Sequence, residues 1–454
     1  MLLPPSGKLD PPATVLEIAD RLEEAGYETW CVGGAVRDAL LGRGHLDWDL
    51  ATAATPDDVR RVFGRRLTVP VGVEHGTVGV LDRFGALHEV TTFRRDVRTD
   101  GRHAVVAFGA SLDDDLARRD FTINAIAYHP RRRTLRDPYG GRLDLERGIV
   151  RAVGDPQARM REDRLRALRA LRFAGRLGFA IDPATWSAVV ASAPQLRRLS
   201  AERVKQELEK TMDQLPRPSA ALALWVESGA METLVPSLAN VDAVTLAAVD
   251  CVPVPPGGMA PRQRARRIAR FAALFAGLDG AQVGAALTAL RFSKSDAAAV
   301  ATVVERLRAS APAMESALLR ASPVGDADVR RWVADIGRLN VPLVIRVAWA
   351  MWSARRAASH PAPDPGAVRV LYRRLLRSRF RDPVELSDVA VDGDDLRRVG
   401  IPPGPALGKI LQALLDRVIR DPSLNTPGWL LEEARRLYGA ATGGDGSPDT
   451  TRGR

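Results

Sequence analysis

Apolar positions recur at helical spacing over residues 14–25, where Val15, Leu16, Ala19 and Leu22 lie three and four apart, and Gly26 ends the pattern. Residues 27–32 read as a buried strand running into Gly33-Gly34. Further strand-like runs fall at 46–51, 68–71, 77–81 and 87–92, with helical stretches between them at 35–41 and 56–63. Thr55 is the expected cap of the second of these, with Pro56 in the first helical position. The first 150 residues therefore predict a mixed unit of strands and helices. From Arg159 the strand signal largely vanishes. Helical periodicity runs through 159–178, 183–192, 201–214 and 217–230, then through most of 261–380, with breaks at Pro216-Arg217-Pro218 and in the Gly/Pro-rich stretches 253–258 and 361–366. A last pair, 392–399 and 407–419, is joined through 400–405. Residues 1–13 and 441–454 are rich in turn-forming residues and are expected to be frayed and disordered, respectively.

Composition narrows the class. The chain has 454 residues, 46% hydrophobic and 27% charged, which is globular rather than disordered. Its length suggests roughly two to four domains. Two cysteines, Cys31 and Cys251, offer neither a disulfide framework nor a zinc cluster. No apolar signal core and no membrane-length apolar run are visible, so a soluble, cytoplasmic protein is expected. Histidines 45, 75, 88, 103, 129 and 360 show no ligand spacing. Lysine and arginine together number 66 against 55 acids, a formal charge of +11, and only five are lysines, leaving 61 arginines. A GC-rich genome or selection for a phosphate-gripping fork would each produce that skew. The charge permits a polyanionic partner without proving one.

Residues 32–59 carry the most chemistry. Gly33-Gly34 sit at a strand-to-helix turn where the backbone can approach a ligand and a helix N-terminus attracts phosphate. Arg37 lies one turn into that helix, with Asp38 beside it to hold its guanidinium. Asp47 and Asp49 flank Trp48 in a strand pattern, so both carboxylates should share one face while Trp48 faces the core. Like charges on one face repel unless a cation lies between them. A Mg²⁺ pair about 3.5–4 Å apart, held also by substrate phosphates, explains the arrangement. Strand, Gly-Gly, helix with Arg-Asp, then Asp-x-Asp resembles the signature of the polymerase-β-like nucleotidyltransferase superfamily. That resemblance implies metal-binding roles for Asp47 and Asp49 and a third carboxylate assisting the attacking hydroxyl. Glu89, in a neighbouring strand-like run, is the candidate; its alternative is a cross-strand partner for an arginine.

The segments VEHGTVGVL, EVTTFRRD, DGRH, RRDFTINAIAY, DPYGGRLDLERGIVRAVGDP and REDRLRALRALRFAGRLGF follow in order between residues 73 and 179. Together they resemble the class II tRNA nucleotidyltransferases, the bacterial CCA-adding enzymes and their poly(A) polymerase and A-adding relatives. The likeness is dense over 27–215 and weaker near 385–440. It implies an α+β fold: a polymerase-β-like head (1–150), a helical neck that recognises the nucleotide base (151–215), a helical body (216–380), a tRNA-binding helical tail (381–440) and a disordered end (441–454).

Residues 162–178 read as one helix, with Asp163, Arg166, Arg169 and Arg172 three apart along a slowly turning face. A solvated, salt-bridged face is the alternative. Residues 151–176 nevertheless hold eight arginines and three acids, nearly half the net charge. Asp163 offers acceptors and Arg166 donors, which suits the pairing edges of cytosine and adenine and opposes those of uracil and guanine. The resemblance implies that this pair reads bases without a nucleic-acid template, and that Arg169, Arg172 and Arg119 contact the nucleotide, with Asp120 and Asn124 bracing Arg119. It implies transfer of CMP and AMP from CTP and ATP to the 3′ end of a tRNA, with Gly34 and Arg37 on the triphosphate or sugar and Mg²⁺ as cofactor. Addition of A alone, addition of CC alone, poly(A) synthesis and a catalytically silent tRNA-binding protein are the alternatives. The segment 94–106, with Asp100 and Arg102, resembles a mobile loop that CC-only members of the family have shortened, which implies that CC-only addition is not the activity. Arginine patches at 262–270, beside Phe271, and at 373–381, beside Tyr372 and Phe380, could each follow a phosphate backbone or simply be solvated. The glycine-punctuated turn holding Gly400 and Gly404, with Gly408 beyond it, is expected to present backbone N–H groups to RNA phosphate. Oligomeric state is not legible.

Overall fold

In a computed structural model of the chain, residues 9–44, 47–99, 104–254, 259–320 and 323–442 are described. Asp100, Arg102, His45, His103 and the far C-terminal segment fall outside those residues. The chain divides into two compact units, Met1–Asn240 and Val241–Arg454.

The first unit is the α+β part. Its main strands are β1 (Thr29–Val32), β2 (Asp49–Thr52), β3 (Thr68–Gly72), β4 (Thr77–Leu81), β5 (Leu87–Thr92), β6 (Arg94–Thr99), β7 (Ala104–Phe108), β8 (Ala127–His129) and β9 (Thr134–Arg136). Seven of them form one mixed sheet in the order β3-β4-β5-β2-β1-β8-β9, while β6 and β7 pair as a separate hairpin. Its main helices are α1 (Ala13–Glu24), α2 (Gly34–Leu40), α3 (Pro56–Phe63), α4 (Leu112–Ala117), α5 (Gly141–Arg147), α6 (Pro156–Glu162), α7 (Leu165–Leu177), α8 (Pro183–Ser192), α9 (Ala201–Gln214) and α10 (Pro218–Glu227). One face of the sheet buries Trp30, Val32, Ala51 and Ala127 against Leu112 and Leu116 of α4. Thr55 and Asp58 cap α3 reciprocally, with Pro56 in its first turn, as the sequence pattern requires.

Two local expectations need correction. The strand expected over 46–51 begins only at Asp49, where the β1–β2 ladder ends on the pair Val32↔Asp49. One residue further, Gly33 turns with φ 77°, a left-handed conformation that favours glycine, and removes the partner that Asp47 would need. Asp47 therefore precedes the strand, although Trp48 is buried as expected. The single helix expected over 162–178 is two helices. Asp163 is extended (φ −147°, ψ 105°), and its Oδ1 accepts the Leu165 backbone N–H at 3.0 Å. This local turn competes with the helix and breaks it there.

The second unit is helical among its described residues, from Ala243–Asp250 to Pro427–Thr442. A C-terminal core gathers Leu396, Ile401, Leu414, Val418, Leu430 and Ala434. In the first arginine patch Arg270 and Phe271 are buried and Arg264 pairs with Asp296, so that patch is not a free cationic strip. In the second, Arg374 pairs with Asp326 but Phe380 is 74% exposed beneath the Arg379 guanidinium. Gly400 and Gly404 both take positive φ at the joint between Gly393–Arg398 and Pro405–Arg420. No helix among the described residues is long and apolar enough to cross a membrane.

Helix α7 packs on α10 through Gly175, where an added Cβ would lie 2.7 Å from the Ala221 Cβ and backbone N. Gly175→Ala is expected to destabilise the first unit. Overpacking costs about 1–3 kcal/mol, against a gain of ~1 kcal/mol in helix propensity. Urea unfolding of the variant should show a lower midpoint; a midpoint at or above the wild type would mean that the helices separate without cost.

Candidate active site

The end of β2, the turn into α2, the α4–β8 connection and one face each of α7 and α9 enclose a cavity of about 790 Å³. All ten candidates for catalysis and nucleotide binding line it: Gly34, Arg37, Asp47, Asp49, Glu89, Arg119, Asp163, Arg166, Arg169 and Arg172.

The acids gather at one wall. Strand β5 runs parallel to β2 in the register Leu50↔Val90, which sets Glu89 beside Asp49. Burial, then Glu89, then Asp47 push the Asp49 carboxyl up to about 6, with Arg119 pulling the other way. Among the described residues no arginine pairs with Glu89, so its cross-strand alternative finds no support. Gly33 borders this wall, its Cα side facing Asp49 Oδ2 and Arg119 Nη1, and its left-handed φ of 77° is what calls for glycine there. Among the described residues no three His, Cys, Asp or Glu side chains form a ready-made cation cage. The donor set is two aspartates whose mutual repulsion a cation would relieve, with places left for substrate oxygens. That suits a hard divalent ion, which keeps water or phosphate ligands.

The cations line the rest, and carboxylates or carbonyls hold them. Arg37 is buried; its Nε donates to Asp38 Oδ1 at 2.8 Å and its Nη1 to Asn124 Oδ1 at 2.8 Å. Arg119 Nη2 donates to Asp115 Oδ2 at 2.9 Å, and its Nη1 reaches the Asn124 carbonyl at 3.4 Å. The brace expected from Asp120 goes elsewhere, because Asp120 Oδ2 accepts Arg169 Nε at 2.8 Å. Burial alone would raise the Asp120 pKa, but Arg169, the Asn124 amide and the Phe121 N–H outweigh it and hold it below the usual range. Arg172 is buried against Glu207, Nε to Oε2 2.6 Å. The guanidinium carbons of Arg37, Arg169 and Arg172 lie 5.1, 5.3 and 4.5 Å from the centre of the Phe173 ring. An aromatic face attracts cations and keeps these three spread around it.

Asp163 and Arg166 do not pair with each other's side chains. Arg166 Nη1 donates to Glu162 Oε2 at 2.6 Å and to the Arg159 carbonyl, and its Nη2 donates to the Arg118 carbonyl at 2.9 Å. Asp163 Oδ2 accepts Arg203 Nη2 at 2.8 Å. Arg203, Lys210 and Gln214 on α9, with Arg118 and Arg176, also line the cavity and were not anticipated. Their spacing of seven and four along α9 puts the three α9 residues on one face, a signal visible in sequence once that helix is known to border the site.

Residues 29–151 match the Poly A polymerase head domain family, and residues 178–241 match a family described as the probable RNA and SrmB-binding site of polymerase A. The CCA-adding enzyme of Geobacillus stearothermophilus is 45% identical over 227 residues, 50% of this chain and 55% of that protein. In that alignment the chain thus spans about half the length of its relative. The CCA-adding enzyme of Limosilactobacillus fermentum is 33% identical over 435 residues, 93% of this chain and 96% of that protein. A crystal structure of the Bacillus stearothermophilus CCA-adding enzyme in complex with CTP superposes with a TM-score of 0.70 at 32% identity, covering 94% of this chain and 98% of that one.

The acid cluster carries a measurable cost. Because the Asp49 pKa in the folded chain lies above its ordinary 3.8, ionisation favours the unfolded chain. The cost is absent below about pH 4, grows as the pH rises and is complete above about pH 6. In EDTA, the stability of Asp49→Asn relative to wild type is therefore expected to rise between pH 4 and pH 8, by up to about 3 kcal/mol. Thermal unfolding across that range tests this; a difference that does not change with pH would remove the like-charge account.

Proposed function

The chain belongs to the CCA-adding enzymes, and on that premise we propose that it completes the 3′ end of tRNA, adding C, C and A from CTP and ATP without a nucleic-acid template. One observation carries the reading: the Asp47/Asp49/Glu89 wall and the Asp163/Arg166 pair line the same cavity. Chemistry on an α-phosphate and recognition of a base can therefore act on one bound nucleotide.

The tRNA 3′-oxygen attacks the α-phosphorus in line; the new O–P bond forms as the bond to the β-phosphate oxygen breaks, and pyrophosphate leaves. Asp47 and Asp49 would hold Mg²⁺, which when bound would acidify the attacking hydroxyl and neutralise charge on the leaving group. Glu89 accepts the hydroxyl proton. Gly34 and Arg37 contact the triphosphate or sugar, and Arg119, Arg169 and Arg172 hold the nucleotide as multiple fixed cations. Asp163 accepts from the exocyclic amine of C or A while Arg166 donates to the ring acceptor beside it. With U or G, a carbonyl would meet the carboxylate and a ring N–H the guanidinium, each mismatch costing about 1–3 kcal/mol. The body and tail carry the tRNA, and the enzyme works in the cytoplasm.

Three transcripts test this: tRNA lacking CCA, tRNA ending in C and tRNA ending in CC, each with CTP, ATP or both. All three are expected to be completed when both nucleotides are present. Extension of the CC-ended transcript alone would mean an A-adding enzyme. Asp47→Ala or Asp49→Ala should lower incorporation by about a thousandfold or more, the several kcal/mol that metal assistance supplies, with tRNA binding retained. Near-wild-type turnover by either variant would remove the metal assignment.

A further inference from the structure

We propose that Arg203, on α9, is a specificity-determining positioning residue that fixes the Asp163 carboxylate for reading the base. The inference rests on the base-reading roles given above to Asp163 and Arg166. Asp163 sits at the break between α6 and α7, where helical geometry does not hold it. Two contacts orient its carboxylate: Oδ1 accepts the Leu165 N–H at 3.0 Å and Oδ2 accepts Arg203 Nη2 at 2.8 Å. Each oxygen keeps a further lone pair, so a carboxylate held this way can still accept from a base. The first contact comes from the adjoining turn and moves with it. The second comes from 40 residues away and ties the carboxylate to another helix.

Without that tie, Asp163 has competing partners. Arg166 lies three residues on, and Arg169 already feels the Asp163 charge. Collapse onto either would join acceptor to donor and leave nothing to read a base. The structure keeps them separate by giving each a third party, Glu162 for Arg166 and Arg203 for Asp163. Arg203 is also not saturated by protein contacts. Its Nη1 is buried without a hydrogen-bond partner, and the residue lines the cavity.

The test measures kcat/KM for CTP and UTP on tRNA lacking CCA, and for ATP and GTP on tRNA ending in CC, in Arg203→Met, Arg203→Lys, Asp163→Asn and the Arg203→Met/Asp163→Asn double variant. Arg203→Met is expected to narrow the C-over-U and A-over-G ratios by about tenfold or more, chiefly through KM for the correct nucleotide. Arg203→Lys keeps the charge without the fork and should narrow them less, by about threefold. The double variant should be no less selective than Asp163→Asn alone, because Arg203 acts through that carboxylate. Circular dichroism establishes which variants fold, and Arg203→Lys carries the question if Arg203→Met does not. A folded Arg203 variant with wild-type ratios, slowed equally with all four nucleotides, overturns the proposal, as does additive loss in the double variant. A wild-type enzyme that accepts UTP as readily as CTP instead overturns the base-reading assignment itself.

Discussion

Like-charge crowding around one cavity is the constraint on which the first unit depends. Nine arginines and Lys210 line the site among the described residues, against five acids. Left alone, such a set would spread apart, and long side chains would sample many rotamers. The fold answers with carboxylates placed behind the lining: Asp38 for Arg37 and Arg176, Asp115 for Arg119, Asp120 for Arg169, and Glu207 for Arg172. Several of these pairs are buried, where desolvation roughly offsets the Coulombic gain. Their contribution is better read as geometry than as stability. Each fixes the direction in which a cation presents its remaining donors.

At the opposite wall the rule is reversed. Asp47, Asp49 and Glu89 approach one another; burial first, then Glu89 and Asp47, raise the Asp49 pKa, with Arg119 opposing them. This is a local cost that packing does not remove. It sits where the β1–β2 ladder stops and Gly33 turns away, so the strain belongs to the same turn that opens the backbone to a ligand.

Much of this was legible before the structure. The bounds of β4, β5, α3, α8 and α9 follow the sequence pattern residue for residue; α3 and α8 each open on a capping side chain followed by proline, a start signal that does not depend on periodicity. All ten candidate residues reached one cavity because motif spacing encodes the strand–turn–helix that assembles them. What sequence could not give was side-chain competition. Residues 162–178 keep helical periodicity through Asp163, yet the Asx turn to Leu165 and the pull of Arg203 make that residue extended. Asp120 is adjacent to Arg119 in sequence but bonds Arg169, 49 residues on. Strand β8 lies in a fully buried run, where strand and helix leave the same apolar signature. Periodicity reports which face is buried; it does not report which of several arginines a carboxylate will choose.

The choice of arginine over lysine then has a physical content that net charge lacks. A lysine ammonium is a point donor on a flexible stem, and anchoring it to a carboxylate uses the same group that would meet the substrate. A guanidinium can spend one edge on the protein and keep another for the site. Arg203 directs its Nη2 to Asp163, and Arg37, Arg169 and Arg172 present a further surface by lying against Phe173. Reading a base without a template demands donors and acceptors whose positions do not relax to suit the wrong nucleotide, because the penalty for a mismatch survives only if the groups left unpaired cannot find each other. Glu162 on Arg166 and Arg203 on Asp163 keep those two side chains from pairing with each other, and on the proposed reading that separation is what leaves both to meet a base.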